Sequence, residues 1–175
     1  MFLSLFELSS ADGKVLREQV PVELDEISFR MCTFPVLQKE PAELILTNTG
    51  DKVIKLQVRG SVTVSIPCDR CLTEVPTRIS FDSESKLDLK LSEEERREEK
   101  NEYSCLSGMD LDVDRLVYLE VLMNWPFKVL CKQTCKGFCS QCGKNLNEGS
   151  CNCADEPKDP RMAAISDIFR KFKEV

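Results

Sequence analysis

Eight of the ten cysteines in this chain fall into four short pairs, and no histidine accompanies them. The pairs are Cys68 and Cys71 in CDRC, Cys131 and Cys135 in CKQTC, Cys139 and Cys142 in CSQCG, and Cys151 and Cys153 in CNC. A chain of 175 residues can bury an ordinary core without staples, so cysteines at this density need another reason. The missing histidine removes Ser-His and Cys-His couples and every mixed Cys/His metal site. What remains is ligation by thiolates, alone or with a carboxylate, with Zn²⁺ as the expected ion, structural in role, one or two per chain.

That reading needs reduced thiols. The opening MFLSLFELSS carries no Lys or Arg ahead of its apolar residues, and Glu7 interrupts it, so it does not read as a secretory signal. No run approaches the roughly 20 apolar residues that span a bilayer. A cytoplasmic protein with no membrane partner is expected, where paired cysteines serve as metal ligands or redox groups rather than disulfides.

In a CxxC pair the chain can fold so that both sulfurs face one tetrahedral ion about 2.3 Å away. Gly143 follows Cys142, and a residue that small lets backbone amides approach the sulfur, so residues 139–143 read as a zinc knuckle. Cys139, Cys142, Cys151 and Cys153 are expected to close one site across the loop 144–150, with Cys135 the substitute for one member. Cys68 and Cys71 either meet Cys131 and Cys135 in a second site or form a tight turn with buried thiols. Lone Cys32 and Cys105 read as core or surface thiols. A thioredoxin-like site would sit beside a βαβ pattern, and the flanks of CDRC are strand on both sides.

Those strands give the clearest pattern in the chain. Ile54, Leu56, Val58, Val62, Val64 and Ile66 occupy even positions, with Gly60 keeping the phase and marking a bend. Val75, Thr77, Ile79, Phe81, Leu87, Leu89 and Leu91 continue the alternation after CDRC, which predicts a long hairpin with the CxxC at its tip. Residues 2–8 and 15–22, around Asp12-Gly13, read as another hairpin, and residues 42–47 as a short strand. Residues 92–102 contain six acids and three bases, the composition of a solvated loop or exposed helix. A helix is predicted over 111–124, capped by Asp112 or Asp114 and ended by Trp125-Pro126. A second is predicted from Asp159 and Pro160, with Ile165, Ile168, Phe169 and Phe172 on one face.

The expected fold class is α+β: a mainly antiparallel β core with a few helices and a C-terminal zinc-knuckle segment. Residues 1–125 would form the core domain, and 126–175 the cysteine-rich module with its closing helix. Charge divides along the same line. Residues 1–125 hold 15 basic and 24 acidic side chains, whereas 126–175 hold 9 and 6. No acid occurs from 126 to 147, where Lys128, Lys132, Lys136 and Lys144 are interspersed with Phe127 and Phe138. Lysines beside a knuckle suit phosphate oxygens and an exposed aromatic suits a base. Equally, the lysines can balance thiolate charge while Phe138 packs under the metal loop.

Several of these elements together resemble the YceD-like proteins, the large ribosomal RNA subunit accumulation proteins of bacteria and plastids. They are Cys68-Asp-Arg-Cys-Leu72 after an alternating strand, Asp110-Leu-Asp112 opening a helix, the run from Cys135 through Cys139-Ser-Gln-Cys142-Gly to Asn147, Cys151-Asn-Cys153, and Asp159-Pro-Arg161. Phe138 stands where Leu is usual. The resemblance covers most of the chain. It implies a mainly β core and a role in accumulation or processing of large-subunit ribosomal RNA. Some members lack most of the C-terminal cysteines, which implies an architectural metal. Arg70 and Arg161 fall in the matching motifs as partner contacts.

The sequence therefore points to a non-catalytic ribosome-biogenesis factor. Its partners would be large-subunit ribosomal RNA or its precursor, a basic ribosomal protein received by the acidic half, or both. Two other classes compete. Asp110, Asp112 and Asp114 could hold Mg²⁺ in an RNA-processing enzyme, although helix entry and capping explain them more simply. The cysteines could also serve a thiol redox or metal-handling protein.

Overall fold

The computed structural model describes residues 1–90 and 105–153. The acidic run at 92–102, Leu91 and the helix expected from Asp159 lie outside the described residues. Backbone contacts divide the chain into two units, Met1–Gln133 and Thr134–Val175.

The first unit is built on the strands that the alternation predicts. Strands β6 (Val53–Pro67) and β7 (Glu74–Asp88) pair antiparallel in one unbroken register, from Val53 opposite Asp88 to Pro67 opposite Glu74. On one face Ile54, Leu56, Val58, Val62, Val64 and Ile66 are buried, joined by Ile79, Phe81 and Leu87 from β7. On the other, Arg59 pairs with Asp82 at 3.0 Å, Lys55 with Glu84 at 2.9 Å, and Gln57 donates to Glu84 at 3.0 Å. Apolar and charged ladders on opposite faces fix the register, because a slip of one residue would exchange them. Ser61 is buried among the polar residues, with its hydroxyl donating to Glu40 at 2.7 Å and accepting from Arg78 at 3.1 Å.

The second edge of β6 is shared. Residues Ile54 to Arg59 pair with β5 (Ala42–Asn48), and Val62 to Val64 with β4 (Cys32–Lys39), which in turn pairs with β3 (Glu26–Phe29). The exchange of partners falls at Gly60. There the Phe81 ring lies over the backbone, and a Cβ on residue 60 would stand 2.7 Å from Phe81 Cζ. Glycine is required by that close approach.

The N-terminal hairpin expected around Asp12-Gly13 does not form. Strand β1 (Phe2–Ser4) pairs with β9 (Asp110–Asp112), residues Phe6–Ser9 turn into the short helix α1, and β2 (Val15–Val20) pairs with β5. Leu5 and Leu8 explain the difference. Both are buried, and a spacing of three sends both inward on a helix but to opposite faces on a strand. Asn48 anchors this corner, donating through Nδ2 to the carbonyls of Leu8 and Ala11, each at 3.0 Å.

Helix α2 (Val113–Met123) starts two residues later than predicted. Asp112 is its N-cap and accepts from the Arg115 N–H at 3.1 Å. Leu111 belongs instead to β9, fully buried opposite Leu3 of β1 and Leu106 of β8 (Leu106–Ser107). Leu116, Val117 and Val121 bury the helix's apolar face. Trp125 then packs against Phe29 and Phe34, with ring centroids 5.1 and 5.0 Å away. Among the described residues the fold is mainly antiparallel sheet with two helices, an α+β arrangement. No described helix is long and apolar enough to cross a membrane.

Candidate metal centres

The β6–β7 hairpin ends in CDRC. The Cys68 N–H donates to the Thr73 carbonyl at 2.8 Å and the Leu72 N–H to the Cys68 carbonyl at 2.9 Å, closing the tip. Leu72 takes a left-handed backbone, φ +61°, and its side chain is exposed. The sequence leaves a tight turn and a metal site as alternatives for these cysteines; the geometry contains the turn and also brings further thiols to it.

Asp69 is how they arrive. Its N–H donates to the Val129 carbonyl at 2.9 Å, and its carboxylate accepts from the Val129 N–H at 2.8 Å. This two-way contact holds the segment before Cys131 against the hairpin tip, and the Cys71 and Cys131 sulfurs stand 3.5 Å apart. With Cys135, four residues further on, Cys68, Cys71 and Cys131 form a quartet whose sulfurs all lie within 4.8 Å of one another. Cys68, Cys71 and Cys135 are buried and Cys131 is exposed. Burial opposes ionisation of Cys68, yet hydrogen bonding from the backbone of Arg70, Cys131 and Cys71, with the Cys71 thiol, brings its pKa down to about 6.

The second quartet, Cys139, Cys142, Cys151 and Cys153, lies wholly in the second unit and meets the same 4.8 Å limit. Its knuckle is drawn by hydrogen bonds. The Gly143 N–H donates to the Cys139 carbonyl at 2.9 Å, the Cys139 N–H to the Lys144 carbonyl at 2.8 Å, and the Gln141 N–H to the Cys139 sulfur at 3.4 Å. Gly143 has φ +72°, the left-handed conformation that lets the turn close. Backbone hydrogen bonding from Cys142 and Gln141, followed by the Cys151 thiol, lowers Cys139 to about 6. At the other extreme Cys153 is pushed up to about 12, foremost by its hydrogen bond with Cys142, then by burial and the remaining thiols. One thiolate forms readily and the last resists. A dication at the centre relieves that resistance, so the donor set fits a divalent metal.

By sulfur distance Cys135 falls in the group with Cys68, Cys71 and Cys131. Cys105 is buried, which raises its pKa, and Cys32 is on the surface. Arg70, Lys128, Lys132, Lys136 and Lys144 are all exposed. Lys144 is engaged: its ammonium donates to the Ser150 carbonyl at 2.8 Å. Phe138 is 46% exposed, and its backbone bridges to Asn145. Arg161 lies outside the described residues.

Two of the three aspartates considered for Mg²⁺ have structural work. Asp112 caps α2, and Asp114 accepts from the Glu23 N–H at 2.9 Å and pairs with the Met1 amino group. Sequence reasoning overlooked two polar residues, Asp69 and Asn147. Asp69 stands in plain view between Cys68 and Arg70, but nothing local reveals a partner 60 residues away.

The family described as "Large ribosomal RNA subunit accumulation protein YceD" matches residues 54–169 of this chain. The protein called large ribosomal RNA subunit accumulation protein YCED homolog 1, chloroplastic, from Arabidopsis thaliana, is 32% identical over 59 residues. That stretch is 34% of this chain and 17% of the relative's length. No solved structure matches the chain.

Proposed function

This chain belongs to the YceD family, described as large ribosomal RNA subunit accumulation proteins, and we propose that it is a non-catalytic assembly factor whose paired cysteines hold two zinc ions. Each quartet holds one Zn²⁺ through four thiolates: Cys139, Cys142, Cys151 and Cys153 in one, Cys68, Cys71, Cys131 and Cys135 in the other. The observation that carries the metal assignment is the spacing of the sulfurs. A tetrahedron with metal–sulfur bonds of about 2.3 Å has edges of about 3.8 Å. Sulfurs that all lie within 4.8 Å of one another can close on one ion of that size with small adjustments. They are too close to surround a polynuclear iron–sulfur cluster. Four thiolates also leave no open position for substrate, which favours a structural ion over a catalytic one.

The chain acts by binding precursor large-subunit ribosomal RNA, a basic ribosomal protein, or both. Within the first unit Arg70, Lys128 and Lys132 are exposed, and Phe127 is fully exposed. Within the second, Lys136 and Phe138 offer the same pairing of cation and ring. Cations that meet phosphate beside aromatics that stack on bases are the usual means of holding single-stranded RNA. Lys144, occupied by Ser150, contributes less, and Arg161 remains a contact by its motif alone. The net acidic charge of residues 1–125 suits a basic protein.

In cells depleted of the protein, the ratio of large to small ribosomal subunits falls and large-subunit precursor RNA accumulates. An unchanged ratio at high growth rate overturns the reading. Changing Lys128, Lys132 and Lys136 together to Glu separates the two partner types: RNA binding is lost and ribosomal-protein binding is kept.

A further inference from the structure

Asn147 stands in the loop that joins Cys142 to Cys151, within the knuckle quartet's own sequence, yet its side chain serves the other quartet. Its Nδ2 donates to the Cys135 sulfur at 3.3 Å, and its Oδ1 accepts from the Lys136 N–H at 3.0 Å. The same amide is braced by Asn145, whose Oδ1 accepts from Asn147 Nδ2 at 2.8 Å and from the Asn147 N–H at 3.0 Å. Behind it the Leu146 N–H donates to the Gly137 carbonyl at 2.9 Å, and Phe138 bridges Asn145. Asn147 is thus held firmly against the turn that carries Cys135, by bonds whose other members lie on either side of Cys139.

We propose that Asn147 is a positioning residue that couples the two metal sites, so that filling the knuckle quartet raises the affinity of the quartet containing Cys135. The coupling rests on the two-zinc reading above. An N–H aimed at a thiolate sulfur stabilises its charge and fixes its direction, and such supporting bonds typically set metal affinity by about 10- to 100-fold. A metal bound by Cys139, Cys142, Cys151 and Cys153 ties both ends of the 143–150 loop. The loop then delivers the Asn147 amide to Cys135 already placed, and the ordering cost is no longer charged to the second ion. By linkage the effect is mutual: an ion on Cys135 favours the loop geometry that closes the knuckle.

The test uses the full-length chain with Zn²⁺ and Co²⁺ alone as probes, each titrated against a competing chelator. Cys142→Ser with Cys153→Ser disables the knuckle quartet, and Cys68→Ser with Cys71→Ser disables the other. Disabling the knuckle quartet is expected to lower affinity at the Cys135 site by about tenfold. Asn147→Asp keeps the acceptor for Lys136 and removes the N–H to sulfur. It should weaken the Cys135 site by about 10- to 100-fold and erase the dependence on the knuckle quartet. It should also move that site's sulfur-to-cobalt charge-transfer band to lower energy, a shift that general loosening would not produce. With the Cys135 site disabled, the knuckle quartet should bind metal equally well with and without the Asn147→Asp change. A loss of knuckle affinity there would mark general loosening and overturn the positioning role. Equal affinity at the Cys135 site with the knuckle quartet intact or disabled overturns the coupling while leaving two independent zinc sites. Absence of metal from both quartets overturns the zinc reading itself.

Discussion

Each quartet brings four different thiols within the same 4.8 Å limit, but the two sit in different surroundings. The quartet at the hairpin tip is assembled from distant stretches of sequence, and three of its cysteines are buried. The knuckle quartet is local, within residues 139–153, and none of its members is buried. The hairpin-tip site is therefore tied to the β fold: β6 and β7 present Cys68 and Cys71, and Asp69 brings the approach to Cys131. The knuckle is shaped mostly by its own turns. Metal loss should be a folding event at the first and a local event at the second.

Serine in place of Cys68 and Cys71 separates these behaviours most strongly. Losing a buried metal should cost the first unit about 4 kcal/mol or more. Cys142→Ser should release the knuckle ion while the main thermal transition barely moves. Equal shifts in the two melting curves would break the distinction.

Gly60→Val probes the scaffold beneath the hairpin-tip site. The valine must displace the Phe81 ring, with an expected cost of about 1–3 kcal/mol. Adding Phe81→Leu should return part of that loss, since contacting residues couple. The knuckle quartet's metal affinity should be indifferent to both changes, as read by chelator competition.

The smallest effect concerns thiol reactivity. Cys68 and Cys139 both have pKa values near 6, well below the ordinary 9.0. In metal-stripped protein at pH 7 both are largely thiolate, but Cys68 is buried. Alkylation followed by mass spectrometry should therefore label Cys139 well before Cys68, with Cys153 last within its quartet. The sign of the accompanying stability follows from the direction of the shifts. A folded pKa depressed below the unfolded value stabilises above about pH 9, fades as pH falls, and is gone below about 6.

Much of the scaffold was legible because it is written in short-range pattern. The 54–66 alternation located β6, and its continuation located β7 and put CDRC at the tip. The helix from Asp112 followed from a cap beside an apolar stripe. Cys139, Cys142, Cys151 and Cys153 could be grouped by spacing alone, and their sulfurs lie within 4.8 Å of one another. What the pattern left open or missed was decided at long range. Residues 2–8 carry enough apolar character for a strand, and only burial of both Leu5 and Leu8 turns part of them into α1. The partner of Cys68 and Cys71 depends on Asp69 meeting Val129, a contact between residues with no matching pattern. Asn147 reads as a turn residue, because spacing cannot show which sulfur its amide reaches.

The most direct test of the account is the metal content of the full-length chain, purified under reducing conditions without added metal. Elemental analysis beside native mass spectrometry should give two zinc ions per chain, falling to one in either paired serine variant. A chain without metal and with all ten thiols free would contradict it.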